Sequence, residues 1–317
     1  MADIRTRLGR FARHPGASLL FRLRSLRHLR PAERIPFALL RPVRRLRRRH
    51  PVHTLGFVPD VPVHFDYAIR RVCDLLGLRM AKARPGTSPV VVWADSTEVT
   101  LPVPAGAVNA RCVDIRKSTV ERIFRETFGY GYAVDPLRHH GPMLRKSEQN
   151  ATHDGVVLAG PLAAKDSGFV YQRLIDNLKN GKYEDLRIPI VRGEIPVVFI
   201  RRLPPQRRFG AVATEAGVNA PEEVLSPDER SRLAAFAAAI GLDFGEVDAI
   251  RDRDGVLYVV DANKTPVGPP RRLTMRERIS SMQLIADAFQ RQWLDGRAEV
   301  SAPRPHHAAA RPDPLPP

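Results

Sequence analysis

The stretch 241-GLDFGEVDAIRDRDGVLYVVDANKTPVGPP-270 decides how this chain is read. Phe244 to Arg251 and Val256 to Asn263 each alternate apolar and polar residues. Asp252-Arg253-Asp254-Gly255 between them is turn chemistry, because Asp and Gly accept the positive φ that a tight hairpin requires. Side chains along a strand alternate faces, so Glu246 and Asp248 share a face, as do Asp261 and Asn263. A two-residue turn at Arg253-Asp254 sets Asp248 opposite Val259 and Glu246 opposite Asp261, with all four polar residues on one side. Carboxylates and an amide grouped in this way repel one another unless a cation lies between them. Oxygen-only ligands suit Mg²⁺, which also recruits substrate phosphates. A solvated sheet face produces the same pattern, so the surrounding sequence has to decide.

Immediately upstream, Ser226 is a helix N-cap, Pro227 fits the first helical position and Glu229 completes a capping box. Leu233, Phe236, Ala237 and Ile240 make the buried stripe of this helix, and Gly241 ends it where the hairpin begins. Apolar spacing predicts further helices over 67–76, 119–132 and 274–294, and Val90 to Trp93 reads as a buried parallel strand. Met143 to Lys146 is a short strand ending in a charge. Ser147 to Gly155 (SEQNATHDG) is a polar loop suited to turning backbone N–H groups toward phosphates. Phe169 to Asp176, Glu184 to Val191 and Ile195 to Ile200 read as strands, the last followed by Arg201-Arg202. Arginine grips phosphate or carboxylate through two parallel hydrogen bonds. Arg187, Arg201 or Arg202, Arg207 and Arg208 are therefore candidates, although each taken alone reads equally well as a surface charge.

An acidic residue on one strand, a turn, a hydrophobic strand ending Asp261-Ala262-Asn263 and a Thr-Pro loop resemble the metal-binding hairpin of ATP-grasp enzymes. That superfamily includes the ligases that join D-alanine to D-alanine and those that add glutamate. The resemblance covers roughly residues 140–290, with its motifs in order: Lys146 and its loop, the Tyr171 strand, Asp185-Leu186-Arg187, then Asp248 and Asp261-Ala262-Asn263. It implies an α/β (α+β) fold, with a small open-sheet N-terminal domain ahead of a two-subdomain nucleotide-binding core. It implies ATP and Mg²⁺ as cofactors, with Asp248, Asp261 and Asn263 as metal ligands and Glu246 competing for the first position. Lys146 takes the place of a phosphate-binding lysine. Gln172, Arg173 and Leu174 take the place of the hinge that meets adenine through backbone groups. Arg187 and Arg202, or Arg201 in its stead, would steady the transferred phosphoryl group. Two departures stand out: Asp261 occupies a position that is usually Glu, and the loop after Lys146 has only Gly155 where the family has several glycines.

The chain has 317 residues, 43 % of them hydrophobic, with a net charge of +17. That length supports one large or two medium domains. No apolar run is long enough to predict a transmembrane helix, and the N-terminus lacks the apolar stretch of a secretory signal. Cys73 and Cys112 form no C-x-x-C pair, so neither a zinc site nor a disulfide framework is expected, and the expected setting is cytoplasmic. Residues 1–50 hold 15 arginines and no lysine against Asp3 and Glu33, so most of the positive charge belongs to an appendage. Leu19, Leu23 and Leu26 have helical spacing within it, which reads as a basic amphipathic segment for an anionic membrane or an acidic partner. Nucleic acid is not an expected partner, since the segment carries no fold signature for it. The expected organisation is an Arg-rich extension (1–51), a small α/β domain (52–138), the nucleotide-binding core (139–296) and a Pro-rich tail (297–317).

The resemblance implies an ATP-dependent ligase that activates a carboxylate, small-molecule or glycan-related, as an acyl phosphate for attack by an amine, hydroxyl or thiol. A kinase on the same fold is the close alternative. A non-catalytic scaffold that meets a membrane or polyanion is the other. The sequence has no Ser/His/Asp or Cys/His nucleophile set and no GxxxxGK[ST] loop, and acyl-phosphate chemistry requires neither.

Overall fold

The structure, a computed structural model, describes residues 51–64, 66–150, 152, 154–208 and 213–295. The expectations for the Arg-rich extension and the Pro-rich tail lie outside the described residues.

Three sheets carry the architecture. The first is parallel, with β1 (Thr54–Pro59), β2 (Arg79–Lys82) and β3 (Val90–Trp93) in the order β2-β1-β3. Helix α1 (Ala68–Leu76) makes the crossover from β1 to β2, and α2 (Lys117–Phe128) follows the sheet. The second is antiparallel: β4 (Gly141–Ser147), β5 (Val156–Gly160) and β6 (Phe169–Arg173), in the order β5-β4-β6. The third contains β7 (Leu178–Lys179), β8 (Lys182–Val191), β9 (Val198–Leu203), β10 (Glu215–Asn219), β11 (Phe244–Arg251) and β12 (Leu257–Asn263). Its order is β10-β9-β8-β11-β12, all antiparallel, with β7 paired to β8. Helices α3 (Pro221–Val224), α4 (Pro227–Ile240) and α5 (Met275–Trp293) complete the fold.

The third sheet is covered unequally, and the inequality creates the site. On one face Leu186, Ile188, Ile190, Val198, Val247 and Val259 bury against Phe124 of α2 and Leu233, Phe236 and Ile240 of α4. On the other face Val191, Phe199 and Phe244 pack against Met282, Ile285 and Phe289 of α5. Leu55, Phe57, Ile69 and Val72 from β1 and α1 join that same core. The same face also carries the charged residues Asp185, Arg187, Arg201, Glu246, Asp248 and Asp261.

Both long helices start where local chemistry dictates. Ser226 and Glu229 form the expected reciprocal cap of α4, and Thr274 and Glu277 form an equivalent cap at α5. The strand expected from Ile195 begins only at Val198, because Pro196 has no N–H to give a ladder. Pro189 is tolerated inside β8 for a related reason: pairing with β9 stops at Arg187, so that side of the proline needs no donor.

The hairpin forms, but in a different register from the expected one. Its loop has three residues, Arg253-Asp254-Gly255: Asp252 N–H donates to the Val256 carbonyl at 3.0 Å, and Gly255 takes φ 83°. That moves the register by one residue. A bulge between Asp248 and Ala249 moves it by one more. A single one-residue slip sends every side chain to the wrong face, whereas two restore the faces. Asp248 thus lies opposite Asp261, and Glu246 opposite Asn263, where Val259 and Asp261 were expected. The bulge therefore brings two carboxylates face to face.

Candidate functional site

The charged face is assembled from four neighbouring strands, β9, β8, β11 and β12. Asp185 and Arg187 on β8 pair with Ile250 and Asp248 on β11, and Asp185 is also opposite Arg201 on β9. Alternation then places Asp185, Arg187, Arg201, Glu246, Asp248, Asp261 and Asn263 on one side. Arg187 Nε lies 3.0 Å from Glu246 Oε1 and 3.3 Å from Asp248 Oδ1. Burial lowers the affinity of Arg187 for its proton, but Asp248 and Glu246 outweigh burial and hold it above its usual range. Burial pushes the Glu246 carboxyl up to about 8, with Arg187 restraining the rise. It pushes Asp185 up to about 6 against the pull of Arg201.

Lys146 reaches this face from the second sheet. It is paired with Val170, two positions from the Leu144–Gln172 pair, so Lys146, Leu144 and Gln172 share one side of β4 and β6. Burial, followed by the charge of Lys117, lowers its pKa to about 8, while Asp261, Asp185 and Asp248 pull it back up. Those three carboxylates span β8, β11 and β12, so the lysine amine feels charge from all three strands.

Lys117 was not identified from the sequence. It opens α2 and is buried at 7 % exposure; its Nζ lies 2.6 Å from Asp261 Oδ1 and 3.1 Å from Asn150 Oδ1. Burial raises the Asp261 pKa, and Lys117 partly offsets the rise. In the sequence, Lys117 looks like an ordinary first-turn residue. The long-range pairing of α2 with β12 that makes it functional leaves no local signal.

The outer edge of β12 is closed by side chains. Tyr130 and Tyr132 hydroxyls donate to the carbonyls of Leu257 and Val259 at 2.6 Å each, and Asn150 Nδ2 donates to that of Ala262 at 3.3 Å. Satisfying an exposed edge in this way removes a template for strand addition. It also ties the loop after Lys146 to the end of the hairpin. Asn109 fixes the other end. Its Oδ1 accepts from the N–H groups of Asp243 and Phe244, both at 2.9 Å, and its Nδ2 donates to the Phe244 carbonyl at 2.7 Å.

The remaining expected residues separate. Arg202 lies on the opposite face of β9 from Arg201, with its Nη2 2.9 Å from Glu184. Arg173 extends over the Tyr258 ring, 5.4 Å from its centroid, and its amide donates to the Tyr132 carbonyl at 2.7 Å. The Tyr171 carbonyl is taken by Val134 N–H at 3.0 Å. The backbone at the end of β6 is therefore engaged by residues 132–134, and Leu174 is the first of the three expected hinge residues beyond that pairing. Asn263 Oδ1 accepts from Thr265 N–H at 2.9 Å.

Among the described residues, no group of three or more His, Cys, Asp or Glu side chains could hold a metal. Asp248 and Asp261 are nevertheless directly opposite each other with lysine and arginine alongside. Mg²⁺ is commonly held by one or two carboxylates together with substrate phosphates. The donor set fits that shared mode of binding and does not fit an all-protein cage. Arg187, Lys117 and Lys146 are the cations beside these carboxylates, a chemistry able to meet phosphate oxygens.

No known family's sequence profile and no curated relative matches the chain. Solved structures similar to it include the ATP-grasp ligase PsnB complexed with minimal precursor, at 16 % identity and a TM-score of 0.40. That match covers 59 % of this chain and 65 % of PsnB, so the chain spans less than two thirds of that protein's length. The macrocyclase MdnC of Microcystis aeruginosa MRC, bound with precursor peptide MdnA, is similar at 14 % identity and a TM-score of 0.39, covering 74 % of this chain and 99 % of MdnC. An L-amino acid ligase from Bacillus licheniformis is similar at 12 % identity and a TM-score of 0.44, covering 78 % of this chain and 76 % of that one.

Proposed function

We propose that this chain is an ATP- and Mg²⁺-dependent ligase of the ATP-grasp type, which activates a carboxylate as an acyl phosphate for attack by a nucleophile. The observation that carries this reading is the convergence of Lys146 from one sheet, Lys117 from a helix and Arg187 from a second sheet on the Asp248–Asp261 pair. A metal-bound polyphosphate would use three buried or half-buried cations grouped beside two facing carboxylates in this way.

In this account Asp248 and Asp261 hold the metal, with Asn263 and Glu246 beside them. Mg²⁺ bound there would neutralise part of the phosphate charge during transfer. Lys146 and Lys117 grip the phosphate chain, while Arg187 orients the γ-phosphoryl group and stabilises the charge that builds on it during transfer. Arg201, on the charged face, takes the supporting role expected of Arg202. Leu174 and the residues after it meet the adenine through backbone groups. The substrate carboxylate oxygen attacks the γ-phosphorus as ADP leaves. The amine, hydroxyl or thiol then attacks the acyl carbon, giving up its proton as phosphate departs. We propose the same division of the chain as the sequence suggests, into a small unit (52–138) and a nucleotide-binding unit (139–296).

The test is to incubate the protein with Mg²⁺-ATP, a panel of carboxylic and amino acids, and hydroxylamine. Hydroxamate formed together with ADP supports carboxylate activation. ADP released only with hydroxyl acceptors, and no hydroxamate, contradicts it in favour of a kinase.

A further inference from the structure

The first sheet carries a feature for which nucleotide chemistry has no use. Along the outer edge of β2 runs a cleft of about 730 Å³, lined by His53, Arg79, Lys82, Arg84, Thr87 and Ser88 among others, with no carboxylate in its lining. All three of its Lys and Arg side chains are on exposed residues. Lys82 Nζ lies 3.1 Å from Asp60, so that pair is electrically neutral. Arg79 and Arg84 have no ion-pair partner among the described residues.

The wall carrying Arg84 is a hydrogen-bonded turn. Arg84 N–H donates to Thr87 Oγ1 at 3.0 Å, Thr87 N–H to the Arg84 carbonyl at 2.9 Å, and Gly56 N–H to the Pro89 carbonyl at 3.0 Å. This loop sits directly on Gly56, where an added Cβ would come within 2.6 Å of Thr87 Cγ2. The turn that carries Arg84 therefore packs, through Thr87, onto a position where only glycine leaves room.

The place where the chain enters the fold gives the cleft its meaning. Pro51 lines it, and the residue before Pro51 ends the segment 1–50, with its 15 arginines. Arg47, Arg48 and Arg49 precede Pro51 by only two to four residues in the chain. Within that segment Leu19, Leu20, Phe21, Leu23 and Leu26 are interleaved with the arginines. A dissolved polyanion offers nothing to those apolar side chains, while an anionic bilayer takes both kinds.

We propose that the β2 cleft is a docking site for the phosphate headgroup of an anionic phospholipid, and that it turns this face of the fold toward the membrane to which the Arg-rich segment delivers it. The cleft supplies two unpaired guanidinium groups, which recognise phosphate bidentately, and hydroxyls at Thr87 and Ser88. The proposal is independent of the ligase reading.

The test uses the full chain on vesicles of phosphatidylglycerol in phosphatidylcholine and on phosphatidylcholine alone, with Arg79→Gln/Arg84→Gln as the variant. Each basic side chain at an anionic surface contributes about fivefold in partitioning, so the double variant should bind the anionic vesicles on the order of 25-fold more weakly. Its melting temperature should be unchanged. A second measurement bypasses the arginine segment. The two native cysteines are buried, so Ser88→Cys accepts an environment-sensitive fluorophore selectively. The label should shift to the blue on anionic vesicles only. Wild-type binding to neutral vesicles as strong as to anionic ones, an undiminished affinity of the double variant, or a label at position 88 that does not respond would each overturn the proposal.

Discussion

Replacing Arg187 with methionine tests the electrostatics of the charged face before any substrate is known. Arg187 Nε is 3.0 Å from Glu246 and 3.3 Å from Asp248, and the Glu246 side chain is only 5 % exposed. Methionine fills much of the same space but leaves both carboxylates without their cation. Removing one partner of a buried ion pair typically costs about 3–5 kcal/mol. At roughly 2–4 °C per kcal/mol for a chain of this size, the melting temperature should fall by about 10 °C. The loss should depend on pH. The Glu246 pKa lies at about 8 in the fold against 4.5 ordinarily. The folded form therefore keeps a proton that the unfolded chain releases, and stability falls as pH rises from about 4.5 through 8. Without Arg187 the Glu246 pKa rises further and the fall continues beyond pH 8, so the deficit of Arg187→Met should be smallest near pH 5 and largest near pH 9. Adding Glu246→Gln should restore at least half of the loss. Urea titrations across this pH range, without nucleotide or metal, give the numbers. A deficit below about 1 kcal/mol, or one independent of pH, would refute the reasoning.

Further outcomes follow from the same geometry. Lys117→Met should weaken Mg²⁺-ATP binding at least tenfold in calorimetry, whereas Arg202→Met, on the opposite face, should change it less than twofold. Asn109→Ala removes three hydrogen bonds to the start of β11 and should destabilise the protein by about 2–4 kcal/mol, since each buried group left unpaired costs about 1–3 kcal/mol. Tyr132→Phe strips the hydroxyl from the Val259 carbonyl and should cost about 1 kcal/mol in urea unfolding. Burial pushes the Cys112 thiol up to about 12. Both cysteines should therefore resist a thiol reagent at neutral pH until denaturant is added.

The parts of the site that could be read in the sequence were those set by local rules. Strand alternation placed Glu246, Asp248, Asp261 and Asn263 on one face, as the structure does, because the longer loop and the bulge cancel in parity. Which residues oppose each other depends on the absolute register, and neither the loop nor the bulge announced itself. The capped helix before the hairpin was legible because Ser226, Pro227 and Glu229 act within one turn. Strands β1 and β10 were not, since TLGFVP contains Gly and Pro, and EAGVN on a sheet edge has no apolar alternation. Arg201 and Arg202 are adjacent, and only the pairing of β9 with β8 decides which one faces Asp185. Lys117 was hidden for the most general reason: it belongs to the site through a contact 144 positions away in the chain, with Asp261.

The most direct test of the account is Mg²⁺-dependent ATP binding, measured by calorimetry on the wild type and on Asp261→Asn. Asparagine keeps the shape and the Lys117 contact but removes the charge that the metal requires. Tight binding by the wild type that is abolished by chelator and lost in Asp261→Asn is the predicted result. Equal binding by both proteins, or none by a folded wild type, would contradict the assignment of the β11–β12 hairpin as a metal–nucleotide site.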